Sequence, residues 1–234
     1  MIEYVVPANI DDRILARGAA LLGEGGLLAL PTDTSWSIVC SLRGREGIKK
    51  LRRLSGERDE RHFTLLCGDI SQFGEFCGMD NTRFRIIKRL SPGPYVFILR
   101  TLSGTDKALG LRRRELGVRI PNHPVPLGLI KTLNQPLYSV TAKRGMTAAG
   151  EAAGYADNPP DPKPSGPEKA AADTELPPIP EEQLFEGGWE LEAVPELAMI
   201  LDPGEDQKRI FSTILDMTGD EVLQIRRGAG PWPV

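Results

Sequence analysis

Residues 157–183 read DNPPDPKPSGPEKAAADTELPPIPEEQ, with eight prolines and almost no large apolar side chain. Proline has no backbone N–H to give to a ladder, so a run this rich in it cannot lie inside a helix or a central strand. With so little apolar area to bury, the run cannot offset the entropy cost of ordering, and it is expected as an extended or mobile surface excursion. The packed body must therefore come from the chain on either side. The expected organisation is one domain assembled from residues 1–149 and 197–234, with 150–196 as a Pro-rich acidic insertion.

Charge divides near the same place. Residues 1–149 hold 23 Lys and Arg against 14 Asp and Glu, a balance of +9, whereas 150–234 hold 6 against 18, a balance of −12. The overall charge of −3 conceals this asymmetry. Arg43, Arg45, Lys49, Lys50, Arg52, Arg53, Arg58 and Arg61 crowd together, and Arg112, Arg113 and Arg114 follow. A cluster of this kind suits an anionic partner, nucleotide or RNA; the plainer alternative is a solvated helix face.

The chain has 234 residues, 40% hydrophobic and 26% charged, which fits a soluble globular protein and excludes collagen-like, fully disordered and disulfide-scaffold classes. No apolar run approaches the ~20 residues needed to span a bilayer. The start, MIEYVVPANIDDR, lacks the basic and apolar regions of a signal peptide, so a cytoplasmic location is expected and no membrane partner. Cys40, Cys67 and Cys77 are odd in number and have no metal-ligand spacing, and His62 and His123 have no partner nearby in sequence. The cysteines read as core thiols. Hydrolytic triads and structural zinc are disfavoured by the same inventory.

Helical spacing of Ile10, Ile14, Leu21 and Leu22 predicts a helix that starts near Asn9 as its cap and stops at Gly23–Gly26. Residues 45–54 pattern as a helix with Ile48, Leu51 and Leu54 on one face and bases on the other, and 81–90 as a helix capped by Asn81. A short helix around 71–77 and one at 124–133 complete the set. Strands are expected at 27–31, 35–40, 63–67, 95–99, 117–121 and 136–141, then as three segments around 197–204, 209–217 and 221–228. Strands and helices mix without a regular βαβ beat, so the expected fold class is α/β, a single domain with a twisted mixed sheet and helices against it. The last three strands should rejoin the main sheet, since three alone are marginal.

Three clusters set small hydroxyls at strand ends: Thr32-Asp33-Thr34, Ser139-Val140-Thr141-Ala142-Lys143, and Ser212-Thr213. Hydroxyls with nearby cations suit a phosphate or carboxylate site, although each cluster taken alone reads more readily as turn chemistry. Neither a Walker A loop nor a GxGxxG is present.

PTDTSWSI resembles the PTET-hydrophobic-Tyr-Gly-Leu opening of the YrdC/YciO family, whose better-known members make threonylcarbamoyl-adenylate from threonine, bicarbonate and ATP for tRNA modification. SPGPYVFIL, GVRIPNHP, PLYSVTAK, FSTILD and IRRGAG follow in the family's order, so that the resemblance covers about residues 10–149 and 197–230. It implies a YrdC/YciO-like fold with a basic concave cavity for an adenine nucleotide in a surface suited to RNA. Thr32 and Thr34 fall where the family contacts amino acid or phosphate, Arg119 on the Arg of its R-x-P strand, and Thr141 and Lys143 on its Ser-Ala-Asn. Ser212 and Thr213 fall on its Ser-Thr, and Arg226 on its late Arg.

The departures point to the YciO-like branch. Ser55 and Glu57 stand where the synthases carry Lys-x-Arg, which leaves Arg53, Arg58 or Arg61 to offset triphosphate charge. Lys143 replaces an amide, and Trp36-Ser37 replaces Tyr-Gly. The resemblance thus implies a protein that binds ATP or a related adenylate, with magnesium arriving on the nucleotide and not on protein side chains, and weak or altered threonylcarbamoyl-AMP synthase activity using threonine and bicarbonate. Nucleotide contacts are expected from Thr32, Thr34, Arg58, Arg119, Thr141, Lys143, Ser212, Thr213 and Arg226. RNA contacts, to tRNA or another structured RNA, are expected from Arg43, Arg45, Lys49, Lys50, Arg52 and Arg53. The alternative is a non-catalytic module for double-stranded or structured RNA, on ribosomal particles for example. The insertion is expected either to reach across the Arg-rich mouth, with Trp189 burying its ring as the far anchor, or to be a passive solvated loop with Trp189 packed on the nearest helix.

Overall fold

The computed structural model describes residues 1–42, 45–56, 63–111, 114–146 and 180–232. The expectations placed on Arg43, Glu57, Arg58, Arg61, His62, Arg112, Arg113 and the proline-rich stretch as far as residue 179 lie outside the described residues.

The chain runs β1 (Ile2–Tyr4), α1 (Asp12–Gly23), β2 (Leu27–Leu30), β3 (Ser37–Ser41), α2 (Arg45–Ser55), β4 (Thr64–Leu66), α3 (Ile70–Phe76), α4 (Asn81–Leu90) and β5 (Tyr95–Arg100). There follow α5 (Thr105–Leu109), β6 (Glu115–Arg119), α6 (Pro124–Leu133), β7 (Leu137–Thr141), two 3₁₀ turns (Glu181–Gln183 and Gly188–Ala193), β8 (Leu197–Asp202), β9 (Thr213–Asp216) and β10 (Leu223–Arg226). Among the described residues the strands form one ten-stranded mixed sheet in the order β1-β8-β2-β3-β7-β4-β6-β5-β9-β10. The late strands do rejoin it. β8 lies between β1 and β2, parallel to both, and β9 runs parallel to β5.

Alternation along the strands assigns the two faces. In β2, Leu27 and Ala29 join a large core with Ile48, Leu51 and Leu54 of α2, Phe73 of α3 and Ile87 of α4. Leu28 and Leu30 point the other way, against Leu15 and Leu22 of α1 and Val125 and Leu129 of α6. Gly18 lets α1 approach closely, since a Cβ there would meet Leu28 Cδ2 at 3.1 Å. On this second face, toward the β5 and β9 side, the apolar cluster consists of strand residues only: Val96, Ile98, Ile214 and Ile225. The helical layer of α1 and α6 thus stops partway across the sheet. Cys40, Cys67 and Cys77 are buried free thiols, as expected.

Two caps fall elsewhere than expected. Asp11 Oδ1, not Asn9, accepts the Arg13 N–H at the start of α1 (2.8 Å), and Asp80, not Asn81, accepts from Arg83 N at the start of α4 (2.8 Å). A carboxylate next to the first free N–H groups also faces the positive helix end, which favours Asp over the neighbouring amide. The segment 180–196 differs more. It was expected outside the body, yet Leu184, Phe185, Leu191 and Val194 are buried and pack into it. Trp189, the expected anchor, is 70% exposed. In a 3₁₀ turn, side chains three apart share a face, so Gly188 and Leu191 point inward and Trp189 points out.

Candidate functional site

Where the α1/α6 layer ends, the strand surface it leaves uncovered becomes the floor of a cleft. The cleft is lined by small hydroxyls on adjacent strands: Ser37 of β3, Ser139 and Thr141 of β7, Thr64 of β4, and Ser212 just before β9. Register places them side by side, with Ser37 opposite Thr141 and Ser139 opposite Thr64. Leu66, Val96, Val140 and Ile214 supply the apolar part, and Arg119, Lys143 and Arg226 the charge. No acidic side chain is among these lining residues.

Arg119 ends β6 and is 4% exposed. Its Nη1 donates to Thr34 Oγ1 (3.0 Å) and Ser212 Oγ (2.7 Å), its Nη2 to Asp33 Oδ1 (2.6 Å) and its Nε to Gly93 O (3.2 Å). One guanidinium therefore ties the β2–β3 turn to the residues that precede β5 and β9. Burial pushes the Arg119 pKa down and Asp33 opposes that, which keeps the ion charged and locally neutralised. Asp33 Oδ1 also accepts the Asn122 N–H (3.0 Å). Next to it, His123 Nδ1 caps α6 by accepting from Val125 N (3.2 Å), and burial lowers the His123 pKa against the pull of Asp33.

The threonines of the turn form a relay. Thr32 Oγ1 donates to Ser35 O (2.7 Å), so its contact with Thr34 Oγ1 (3.0 Å) takes the Thr34 proton, which leaves Thr34 Oγ1 to accept from Arg119. Thr32 is buried behind this relay and does not line the cleft. Thr213 also faces away. Its hydroxyl donates to Gly230 O (2.5 Å) and accepts from Gly228 N (3.0 Å), which fastens the chain after β10 onto β9. Arg226 donates from Nε to Ser212 O (3.0 Å) and lies 5.0 Å from the centre of the Phe211 ring.

Of the expected nucleotide residues within the described set, Arg119, Thr141, Lys143, Ser212 and Arg226 thus meet at one cleft, with Thr34 bonded to it through Arg119. The α2 bases do not meet there. The helix packs on the opposite face of the sheet, and part of its charge is used internally: Lys50 donates to Gly25 O (3.2 Å), Arg52 to Gly110 O (3.2 Å), and Arg53 pairs with Glu196. Arg45, Lys49 and Arg53 remain exposed. Ser55 bonds to Arg52 O at the end of the helix (2.9 Å).

Sequence reasoning missed Thr64 as a lining residue and Asp33 as the partner of Arg119. Thr64 carries a signal, a hydroxyl at the inward position of an otherwise apolar strand, whereas the Asp33–Arg119 pair joins residues 86 apart and leaves none. The donor set of hydroxyls, ammonium and guanidinium does not fit a protein-held divalent cation, which takes carboxylate and carbonyl oxygens. Among the described residues no three His, Cys, Asp or Glu stand together as a metal site. No described helix is long and apolar enough to cross a membrane.

Known proteins share this arrangement of strands. The crystal structure of Escherichia coli YciO superposes with a TM-score of 0.74 over 99% of this chain and 97% of that one, at 21% identity. The crystal structure of P. abyssi Sua5 complexed with L-threonine gives 0.73 over 97% of this chain and 57% of Sua5, at 18% identity. By sequence, the uncharacterized protein YciO of E. coli K12 is 29% identical over 139 residues, 59% of this chain and 68% of YciO. The threonylcarbamoyl-AMP synthase of Mus musculus is 26% identical over 135 residues, 58% of this chain and 48% of the synthase. The Sua5, YciO and YrdC family model, described as "Telomere recombination", matches residues 20–153, more than half of the sequence. With the ordered motifs on the strands that build the cleft, that match makes the chain a member of the Sua5/YciO/YrdC family.

Proposed function

We propose that the cleft binds ATP or a related adenylate together with threonine, and that the protein carries a weak or altered threonylcarbamoyl-AMP synthase-type activity linked to tRNA modification. The observation that carries this reading is the lining itself: five hydroxyls and three cations around an apolar floor, with no acid among the described lining residues. Such a surface favours phosphate and carboxylate oxygens, because each hydroxyl or cation gives a charge-assisted hydrogen bond in a partly dry site. The relatives named above as a threonylcarbamoyl-AMP synthase and as a complex with L-threonine support the same chemistry.

In this reading the chain works by positioning and charge stabilisation and needs no acid–base dyad. A carbamate oxygen of threonine carbamate, formed from bicarbonate, attacks the α-phosphorus of ATP, and the bond to the bridging oxygen breaks as pyrophosphate leaves. Lys143 and Arg226 face the charge that develops on the leaving group, and the hydroxyls of Ser139 and Thr141 orient the amino acid. Arg119 holds the frame. Magnesium enters as part of the nucleotide substrate. The test is pyrophosphate release from ATP with and without threonine and bicarbonate: threonine-dependent release is expected, slower than that of a housekeeping synthase. Absence of both release and ATP binding overturns the reading.

The exposed bases on α2, Arg45, Lys49 and Arg53, support a second reading in which this outer face holds structured RNA. Affinity for tRNA that falls steeply with salt and is lost in an Arg45→Glu, Lys49→Glu variant is the expected result. RNA affinity unchanged by both substitutions removes α2 from that role.

A further inference from the structure

One carboxylate fastens the segment after residue 180 to the rim of the cleft. Glu190 Oε1 accepts the backbone N–H groups of Glu186 (2.9 Å) and Gly187 (3.1 Å), and its Oε2 pairs with Arg144. The Glu190 side chain is only 9% exposed. Burial alone would raise its pKa, but the two N–H groups and Arg144 outweigh that and hold the carboxyl below its ordinary value. Arg144 directly follows the cleft residue Lys143. Its guanidinium lies 5.2 Å from the centre of the Phe185 ring, and its backbone N–H donates to Gln183 O at 2.6 Å. Lys143 itself forms an isolated antiparallel bridge with Leu184.

The neighbouring strand holds the same segment from the other side. Trp36 Nε1 donates to Glu186 O (2.9 Å), while the Trp36 carbonyl accepts from Ala142 N (2.9 Å). Residues 183–190 therefore form a strap across the ends of β3 and β7, the strands that carry Ser37, Thr141 and Lys143 into the cleft. The backbone at Lys143 is set by this strap, and the strap is closed by the Glu190–Arg144 contact.

We propose that Glu190 and Arg144 are positioning residues: by clamping the strap they fix Lys143 at the rim, so that a bound anion and a closed strap stabilise each other. The proposal rests on the reading of the cleft as an anion site. Linkage makes it reciprocal, because whatever factor the closed strap adds to anion affinity, the anion adds to strap closure. A role confined to packing has no such reciprocity.

The full chain can be tested with inorganic pyrophosphate as the probe, measuring its affinity by calorimetry and amide exchange at Arg144 and Gly187. In the wild type, saturating pyrophosphate should slow exchange at both amides. Glu190→Ala should speed exchange and weaken pyrophosphate by about tenfold, within the usual range of couplings between sites. Glu190→Gln keeps an acceptor for the two N–H groups but loses the charge, so it should fall between the two and serve if the alanine variant does not fold. Arg144→Ala should resemble Glu190→Ala, and the double variant should be little worse than either. Pyrophosphate affinity unchanged in Glu190→Ala and Glu190→Gln, or exchange indifferent to saturating pyrophosphate, overturns the proposal alone. A wild type without pyrophosphate affinity overturns the anion-site reading, and the proposal falls with it.

Discussion

Arg119 and Lys143 both line the cleft, but the surroundings give them different work. Arg119 donates four hydrogen bonds into the protein and is countered by Asp33, so its removal takes the cation from a part-buried carboxylate and the donor from the Thr34 and Ser212 hydroxyls. Arg119→Met should cost about 3–5 kcal/mol of stability, the usual loss when one partner of a buried pair is deleted, measured by urea unfolding. Lys143→Met should weaken ATP or pyrophosphate by roughly 1.5–3 kcal/mol, the value of a hydrogen bond to a charged group, measured by calorimetry. The buried thiols make a third residue-scale expectation. Burial raises Cys40 and Cys77 from 9.0 to about 12, and raises Cys67 well above 9.0 as well. The folded chain then keeps protons that the unfolded chain releases, so stability is complete below pH 9.0 and falls as pH rises from there toward 12. Urea midpoints at pH 8 and pH 10 should show the fall, and Cys40→Ala with Cys77→Ala should flatten it.

At the scale of elements, local chemistry decides where a helix begins and whether a turn survives. Asp11→Ala should cost about 1 kcal/mol because it removes the cap of α1, whereas Asn9→Ala should be close to neutral. Gly228 sits where a Cβ would collide with the backbone of Phe211 and Ser212. Gly228→Ala should therefore destabilise by about 1–3 kcal/mol, as overpacking does, and should also lower anion affinity by displacing Ser212 from Arg119; thermal melts and pyrophosphate titration read the two effects. The longer elements were legible from periodicity: the expected strands at 27–31, 95–99 and 136–141 coincide with β2, β5 and β7. β1 has three residues and α5 five, too short for any period to show. The site was legible in the same way. Hydroxyls at strand ends stand out locally, but the bonds that make Thr32 and Thr213 structural, and that join Asp33 to Arg119, come from residues far away in sequence or from backbone that sequence does not orient.

At the scale of the molecule, the sheet is completed by strands that follow residue 196. β8 fills the place between β1 and β2, and β9 covers the edge of β5, so a chain ending at residue 196 should lack native circular dichroism and dispersed amide resonances. A dispersed, cooperative spectrum from residues 1–196 would refute this. The acidic and proline-rich stretch does not separate two independent bodies; it interrupts one. Its C-terminal shoulder, with Phe185 and Leu191 buried, already belongs to the core. The same strand order has a meaning for synthesis on the ribosome. β1 precedes its partner β8 by almost two hundred residues, so it waits unpaired while that interval is translated. For that interval β2 also presents a bare apolar edge. The nascent chain is consequently open to strand-to-strand aggregation until β8 emerges, and the proline-rich stretch, which precedes β8, falls within that interval.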